Sequence, residues 1–269
     1  MAKYKVFGYG GNLYKISGNN LEGCGPDNNH ARSIVVAHDV PKKNQRFLYD
    51  ADGTYKNNCE SWRWAGRDLG EDDWAVIFWS SHGTQSVDLN GDEVDGMDEA
   101  LCCYDVDWDS QGRVINCMVD DEISEIIDNS VCRWAIFIDA CYGEIYDAEK
   151  SLKHKSRPRT IHVPEKAQYW INRAKSRGLK SRSVFKGLNR VQVISACRSY
   201  QKAADTFLGG EPRGAGSYYF EQYFSKTPEA SCVKITCQMR GDMTLHSYSQ
   251  RPVAQGGLIN LPFAEGFTA

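Results

Sequence analysis

The 269-residue chain is 41% hydrophobic and 25% charged, with a formal net charge of -3. That is enough apolar material for one large domain or two small ones, and it lacks the basic excess of a nucleic-acid or anionic-membrane binder. The opening MAKYKVFGYGG is too short and polar for a secretory signal and no run of eighteen apolar residues exists, so a cytoplasmic, non-membrane protein is expected.

Four short apolar runs read as strands buried on both faces: KYKVFGYG near the start, then residues 72–81, 132–140 and 190–196. Helical spacing marks Asn28 to His38, Tyr55 to Leu69, Asp120 to Asn129 and Gly216 to Ser225. Asp120-Asp121-Glu122 would open the third of these helices, where the macrodipole favours acid. Alternation of strand and helix predicts an α/β fold with a mostly parallel sheet covered by helices, whose ligands sit beyond the carboxyl ends of the strands. Residues 145–188 are polar, basic and broken by Pro158 and Pro164, and are expected to form a long exposed connection.

The ten cysteines include no CxxC pair, and a chain of this size without an export signal does not need staples, so reduced thiols are expected. Two of them close strands: Asp139-Ala140-Cys141 ends the third and Ser195-Ala196-Cys197-Arg198 the fourth. Ser80-Ser81-His82-Gly83 ends the second, so a histidine and a cysteine arrive at one sheet edge. A thiol must ionise to attack a carbonyl, and a nearby imidazole can take its proton and later give it to a leaving amine. His82 and Cys141 are the natural pair, because both directly follow apolar strands and both have glycine within two residues. The amides of Gly83 and Cys141 could hold an oxyanion. Taken singly, Cys141 could equally be a buried structural thiol and His82 a satisfied loop histidine.

The setting of the two residues is more specific. A cysteine preceded by alanine and followed two positions later by glycine, with a histidine about 50 residues upstream, marks the caspases. Here Asp139-Ala140-Cys141-Tyr142-Gly143 follows His82 by 59 residues, with Asp in place of the caspase Gln. The runs SSHGTQSVDLNGDEVDGMDEALCCYDVDW, VDDEISEIID, FIDACYGE, ISACRSYQKAAD and LEGCGPDNNHA together resemble the metacaspases, in order, from Leu21 to about Phe224. The resemblance implies a caspase-like three-layer fold in one catalytic domain over residues 1–269, with the basic connection between its larger and smaller parts. It implies a cysteine endopeptidase without a prosthetic group, acting on protein or peptide substrates with Arg or Lys before the cut bond, and monomeric. It also implies a substrate pocket lined by Cys24, Asp27, Ser80 and Asp139, in which two carboxylates suit a guanidinium. Asp27 could otherwise be an acid at a helix start, whereas Asp139, ending an apolar strand, needs a partner or a function.

Residues 88–109 hold seven aspartates and two glutamates against no Lys or Arg. DLNGDEVDGMDE superficially fits an EF-hand loop, but Glu93 stands where the turn requires glycine. The metacaspase resemblance implies a possible calcium activator site from Asp120, Asp121 and either Asp98 or Asp95, weakened because the family's further acid falls on Ala148. A second departure is Tyr142-Gly143-Glu144 where the family has His-Ser-Gly. If the enzyme cuts after basic residues, its own segment from Lys150 to Arg190 offers many bonds for self-cleavage. The rival readings are a catalytically inactive binding or scaffold protein and a calcium-responsive interaction protein.

Overall fold

The computed structural model describes residues 2–87, 97–141, 156–161, 189–198 and 201–267. The four expected strands form as β1 (Tyr4–Gly10), β3 (Trp74–Ser80), β7 (Arg133–Asp139) and β9 (Val191–Ser195). They lie side by side and parallel, in the order β9-β7-β3-β1, and two further strands complete the sheet. These are β2 (Gln45–Tyr49), parallel to β1, and β12 (Val253–Gln255), antiparallel to β9.

Alternation along β3 sorts side chains between two layers, because successive residues of a strand face opposite ways. Val76 and Phe78 join one core with Val6, Phe137 and Ile194. Ile77 and Trp79 join the other with Phe7, Ile136 and Ile138. The first core is covered by α1 (Cys24–Ala37), α4 (Ala215–Phe224) and α5 (Cys232–Leu245) through residues such as Val35, Phe220 and Met239. The second is covered by α2 (Tyr55–Gly66) and α3 (Asp120–Asp128) through Trp62, Ile123 and Ile127. This is the expected three-layer arrangement. Thr54 and Ser231 cap α2 and α5, each accepting a backbone N–H three residues on.

Two three-stranded sheets flank the carboxyl ends of the central strands. One contains β4 (Gly83–Val87), β5 (Met97–Trp108) and β6 (Val114–Val119). The other contains β8 (Arg157–Pro158), β10 (Ala204–Leu208) and β11 (Glu211–Gly214), with β8 antiparallel to β10. Most of the basic connection lies outside the described residues, but its described piece corrects the expectation of exposure. Arg159 is 0% and Ile161 3% exposed, because this stretch is tied to β10 through Arg157 and Pro158 and to Gly83 of β4 through Thr160, although Arg157 itself is exposed.

Candidate active site

β3 and β7 end level with one another, Ser80 pairing with Asp139, so that His82 and Cys141 emerge at the same edge. Both are buried. His82 is fixed on three sides: its amide donates to the Tyr14 hydroxyl at 2.8 Å, its carbonyl accepts from Cys102, and its Nε2 lies 2.6 Å from the Asn19 carbonyl. A carbonyl can only accept, so the ring proton sits on Nε2 and Nδ1 keeps its lone pair. Nδ1 has no hydrogen-bond partner among the described residues. Burial lowers the His82 pKa to about 4, against smaller opposing effects of the Asn19 and Arg159 carbonyls. The ring is therefore a neutral base at ordinary pH.

The Cys141 sulfur accepts a hydrogen bond from the Ala203 amide at 2.7 Å and faces the Ala203 carbonyl at 3.4 Å. The expected pair thus reaches one edge, but no hydrogen bond joins Cys141 to His82. Cys197 sits in the same small cluster, and its contact with the Cys141 thiol, followed by burial, pushes its own pKa up. Gly83 is required by packing, since a Cβ there would collide with the Cys141 carbonyl.

The amides of Gly83 and Cys141 already hold an oxygen. Both donate to the Arg159 carbonyl, at 3.0 and 3.2 Å. From the same residue a fully buried guanidinium enters the predicted acidic pocket. Its Nη2 meets Asp27 at 2.7 Å and Asp205 at 2.9 Å, and its Nη1 meets Ser80 Oγ at 2.6 Å and the Asp139 carboxylate at 3.4 Å. Burial alone would lower the Arg159 pKa, but Asp139, Asp27 and Asp205 outweigh it and hold the charge firmly. The Cys24 thiol stands beside Ser80 and Arg159, raised by burial. All four predicted pocket residues, Cys24, Asp27, Ser80 and Asp139, therefore converge on one guanidinium.

The carboxylates are themselves held in place. Asp27 accepts from Arg213 Nε at 2.8 Å and from the Gly214 amide at 3.0 Å. Asp139 accepts from the amide and hydroxyl of Ser217 at 2.7 and 2.8 Å, although burial raises its pKa. Asp205 accepts from the amides of Glu22 and Gly23 at 3.0 and 3.1 Å. Sequence reasoning missed Asp205, Arg213, the Asn19 carbonyl and the particular guest, Arg159. Asp205 was within reach, as the last letter of ISACRSYQKAAD.

The segment carrying Arg159 binds as an added strand. Its amide donates to the Ala203 carbonyl at 3.0 Å, the preceding residues pair with β10, and Thr160 bridges Gly83. Side chain, carbonyl and flanking backbone of Arg159 are thus all engaged.

The metacaspase, peptidase C14 domain pattern matches residues 11–148, just over half the chain and including both His82 and Cys141. The chain belongs to the metacaspase family. Among its curated relatives, Metacaspase-1 of Yarrowia lipolytica is 26% identical over 89% of this chain and 58% of its own length. Metacaspase-1 of Schizosaccharomyces pombe is 25% identical over 89% of this chain and 64% of its own length. The chain thus spans about three fifths of the curated relatives it matches. Its fold is shared with a crystal structure of a Geobacter sulfurreducens protein, at TM-score 0.69 and 19% identity, covering 97% of this chain and 98% of that one. It is also shared with caspase-1 of Spodoptera frugiperda, at TM-score 0.59 and 10% identity, covering 97% of this chain and 88% of that one.

The expected calcium ligands are only partly within view. Asp95, Tyr142, Gly143 and Glu144 lie outside the described residues. Asp98 and Asp120 are buried, and the pairing of Ala100 with Val119 brings their ends of β5 and α3 together. Carboxylates are the donor chemistry calcium takes, yet no group of three or more His, Cys, Asp or Glu stands close enough to hold a metal among the described residues. In the same residues no helix is long and apolar enough to cross a membrane.

Proposed function

We propose that this metacaspase is a cysteine endopeptidase that cuts after arginine, and less readily after lysine, and that its first substrate is its own Arg159–Thr160 bond. The observation that carries this reading is Arg159 itself, with its guanidinium among Asp27, Asp139 and Asp205 and its carbonyl between two backbone donors. Three carboxylates fixed before any external substrate arrives form a pocket made for a planar cation, and arginine fills it with its fork of donors better than lysine can.

In this reading Cys141 Sγ attacks the Arg159 carbonyl carbon and His82 Nδ1 accepts the thiol proton. The Gly83 and Cys141 amides stabilise the oxyanion as the carbonyl becomes tetrahedral. The bond to the Thr160 nitrogen breaks, and the imidazolium gives its proton to the departing amine. Water then hydrolyses the thioester, with His82 again as base, releasing the Arg159 carboxylate and restoring the thiol. The reaction needs the sulfur to turn from Ala203 toward the carbonyl. Until the bond is cut the pocket is closed to other substrates.

Calcium as an activator is part of the proposal, with Asp120, Asp121 and either Asp98 or Asp95 as its ligands; it rests on their acid chemistry and on the β5–β6 register. Protein substrates and a monomeric chain complete it.

The test is hydrolysis of fluorogenic peptides ending in Arg, Lys or Asp, with calcium or chelator, alongside the mass of the chain over time. Cleavage after Arg and Lys by the parent, none by Cys141→Ala, and a new terminus at Thr160 are expected; activity unchanged by chelator would remove calcium from the reading. The alternative is an inactive scaffold whose site Arg159 fills permanently, favoured by the missing Cys141–His82 hydrogen bond. An intact mass together with no peptide hydrolysis would select it.

A further inference from the structure

Beyond the scissile bond the chain makes a second buried contact that basic specificity does not require. Thr160 bridges Gly83 in a half-buried position, and the next residue, Ile161, is 3% exposed. Ile161 belongs to a separate apolar cluster with Tyr14, Ala100, Cys102 and Val106, distinct from the two cores of the central sheet. Its setting comes from β5, β6 and the β1–α1 connection. By contrast Arg157, two residues before the cut residue, is exposed.

We infer that this cluster is a substrate subsite selecting an aliphatic residue at the second position after the cut bond, so that the preferred substrate is a basic residue followed by any residue and then an aliphatic one. The inference rests on the proposed peptidase reading and extends its substrate class to the far side of the bond.

Position and chemistry both support it. With Arg159 and Thr160 held by backbone hydrogen bonds and a bridge to Gly83, Ile161 packs among small and aromatic side chains, where burying each methylene favours binding. Tyr14 forms part of the cluster and also accepts the His82 amide hydrogen bond, its ring centroid 5.0 Å from that of the imidazole. An aliphatic side chain packed there therefore rests against the residue that holds the base. A carboxylate there would be buried among apolar side chains, and a small residue would leave a void.

The test uses internally quenched peptides carrying the sequence from Arg157 to Ile161 with short polar flanks, offered to wild-type enzyme whose own cleavage has gone to completion by mass. The Ile161 position is varied to Leu, Ala and Asp in the peptide, so that folding of the enzyme is not at issue. Leucine is expected to match isoleucine within about threefold in kcat/KM, alanine to fall about tenfold, and aspartate about a hundredfold or more. Equal rates for all four, with cleavage after Arg retained, would overturn the subsite and leave the peptidase reading standing. No cleavage of any peptide would overturn both.

Discussion

The Cys141 amide donates to the Arg159 carbonyl at 3.2 Å, so the residue proposed to attack a peptide bond already polarises one in its own chain. The neighbouring Gly83 amide shares the same oxygen. Gly83→Ala would push the new Cβ into the Cys141 carbonyl and displace one or both donors. Loss of a single oxyanion donor costs about 10²–10³ in kcat. Peptide hydrolysis by Gly83→Ala should fall by that range, with KM changed little, and a matching circular dichroism spectrum would show that the fold persists.

Asp205→Asn should test the acid that sequence reasoning overlooked. It keeps the shape and one acceptor but removes a charge lying 2.9 Å from the guanidinium. Truncating one partner of a buried charge pair costs about 2–5 kcal/mol, so kcat/KM for Arg peptides should drop at least about thirtyfold. The loss should be much smaller for a neutral citrulline peptide, since no charge pair is lost there.

Arg159→Ala should leave the chain uncut at that position and also less stable. Its removal takes the shared cation from three buried carboxylates, of which Asp27 still bonds Arg213. Breaking a buried pair typically costs about 3–5 kcal/mol, and urea denaturation of Arg159→Ala in a Cys141→Ala background would read it. Arg159→Lys should recover part of the stability and allow slower cutting, because an ammonium cannot reach all three acids with a planar fork.

Folding lowers the His82 pKa from 6.5 to about 4, so the unfolded chain binds the extra proton more readily between those values. The stability contributed by keeping the ring neutral is full above pH 6.5 and is lost as pH falls toward 4, amounting to about 3 kcal/mol. Denaturation of Cys141→Ala at pH 7 and pH 4 should show this loss, and the same comparison with His82→Gln added should shrink it. An unchanged difference would place the acid sensitivity in other groups.

Much of this was legible in the sequence because the four central strands carry their own boundaries. Apolar runs ending in Ser80-Ser81-His82 and Asp139-Ala140-Cys141 marked both the sheet and the edge where chemistry gathers. The edge strands β2 and β12 were not legible: they are three to five residues long and only half-buried, so their pattern is weak. Helix α5 was missed although Cys232, Ile235, Thr236 and Met239 line its buried face, because Lys234, Gln238, Arg240, Gly241 and Asp242 break up the apolar signal. Composition marked the basic connection but could not single out Arg159 among its many equivalents. That choice depends on the pairing of β8 with β10, a long-range contact that no local pattern announces.

Strands β7 and β9 lie on opposite sides of the Arg159–Thr160 bond in the chain yet are neighbours in the central sheet, paired from Trp134 with Val191 to Ile138 with Ser195. A cut there would nick the polypeptide without dividing the molecule. The amino-terminal fragment would supply four strands of the central sheet, β1, β2, β3 and β7, and its partner β9 and β12, joined by a shared core in place of a peptide link. The nicked protein would migrate as one species under native conditions and as two only after denaturation, and each fragment alone would expose a raw sheet edge where the other had been.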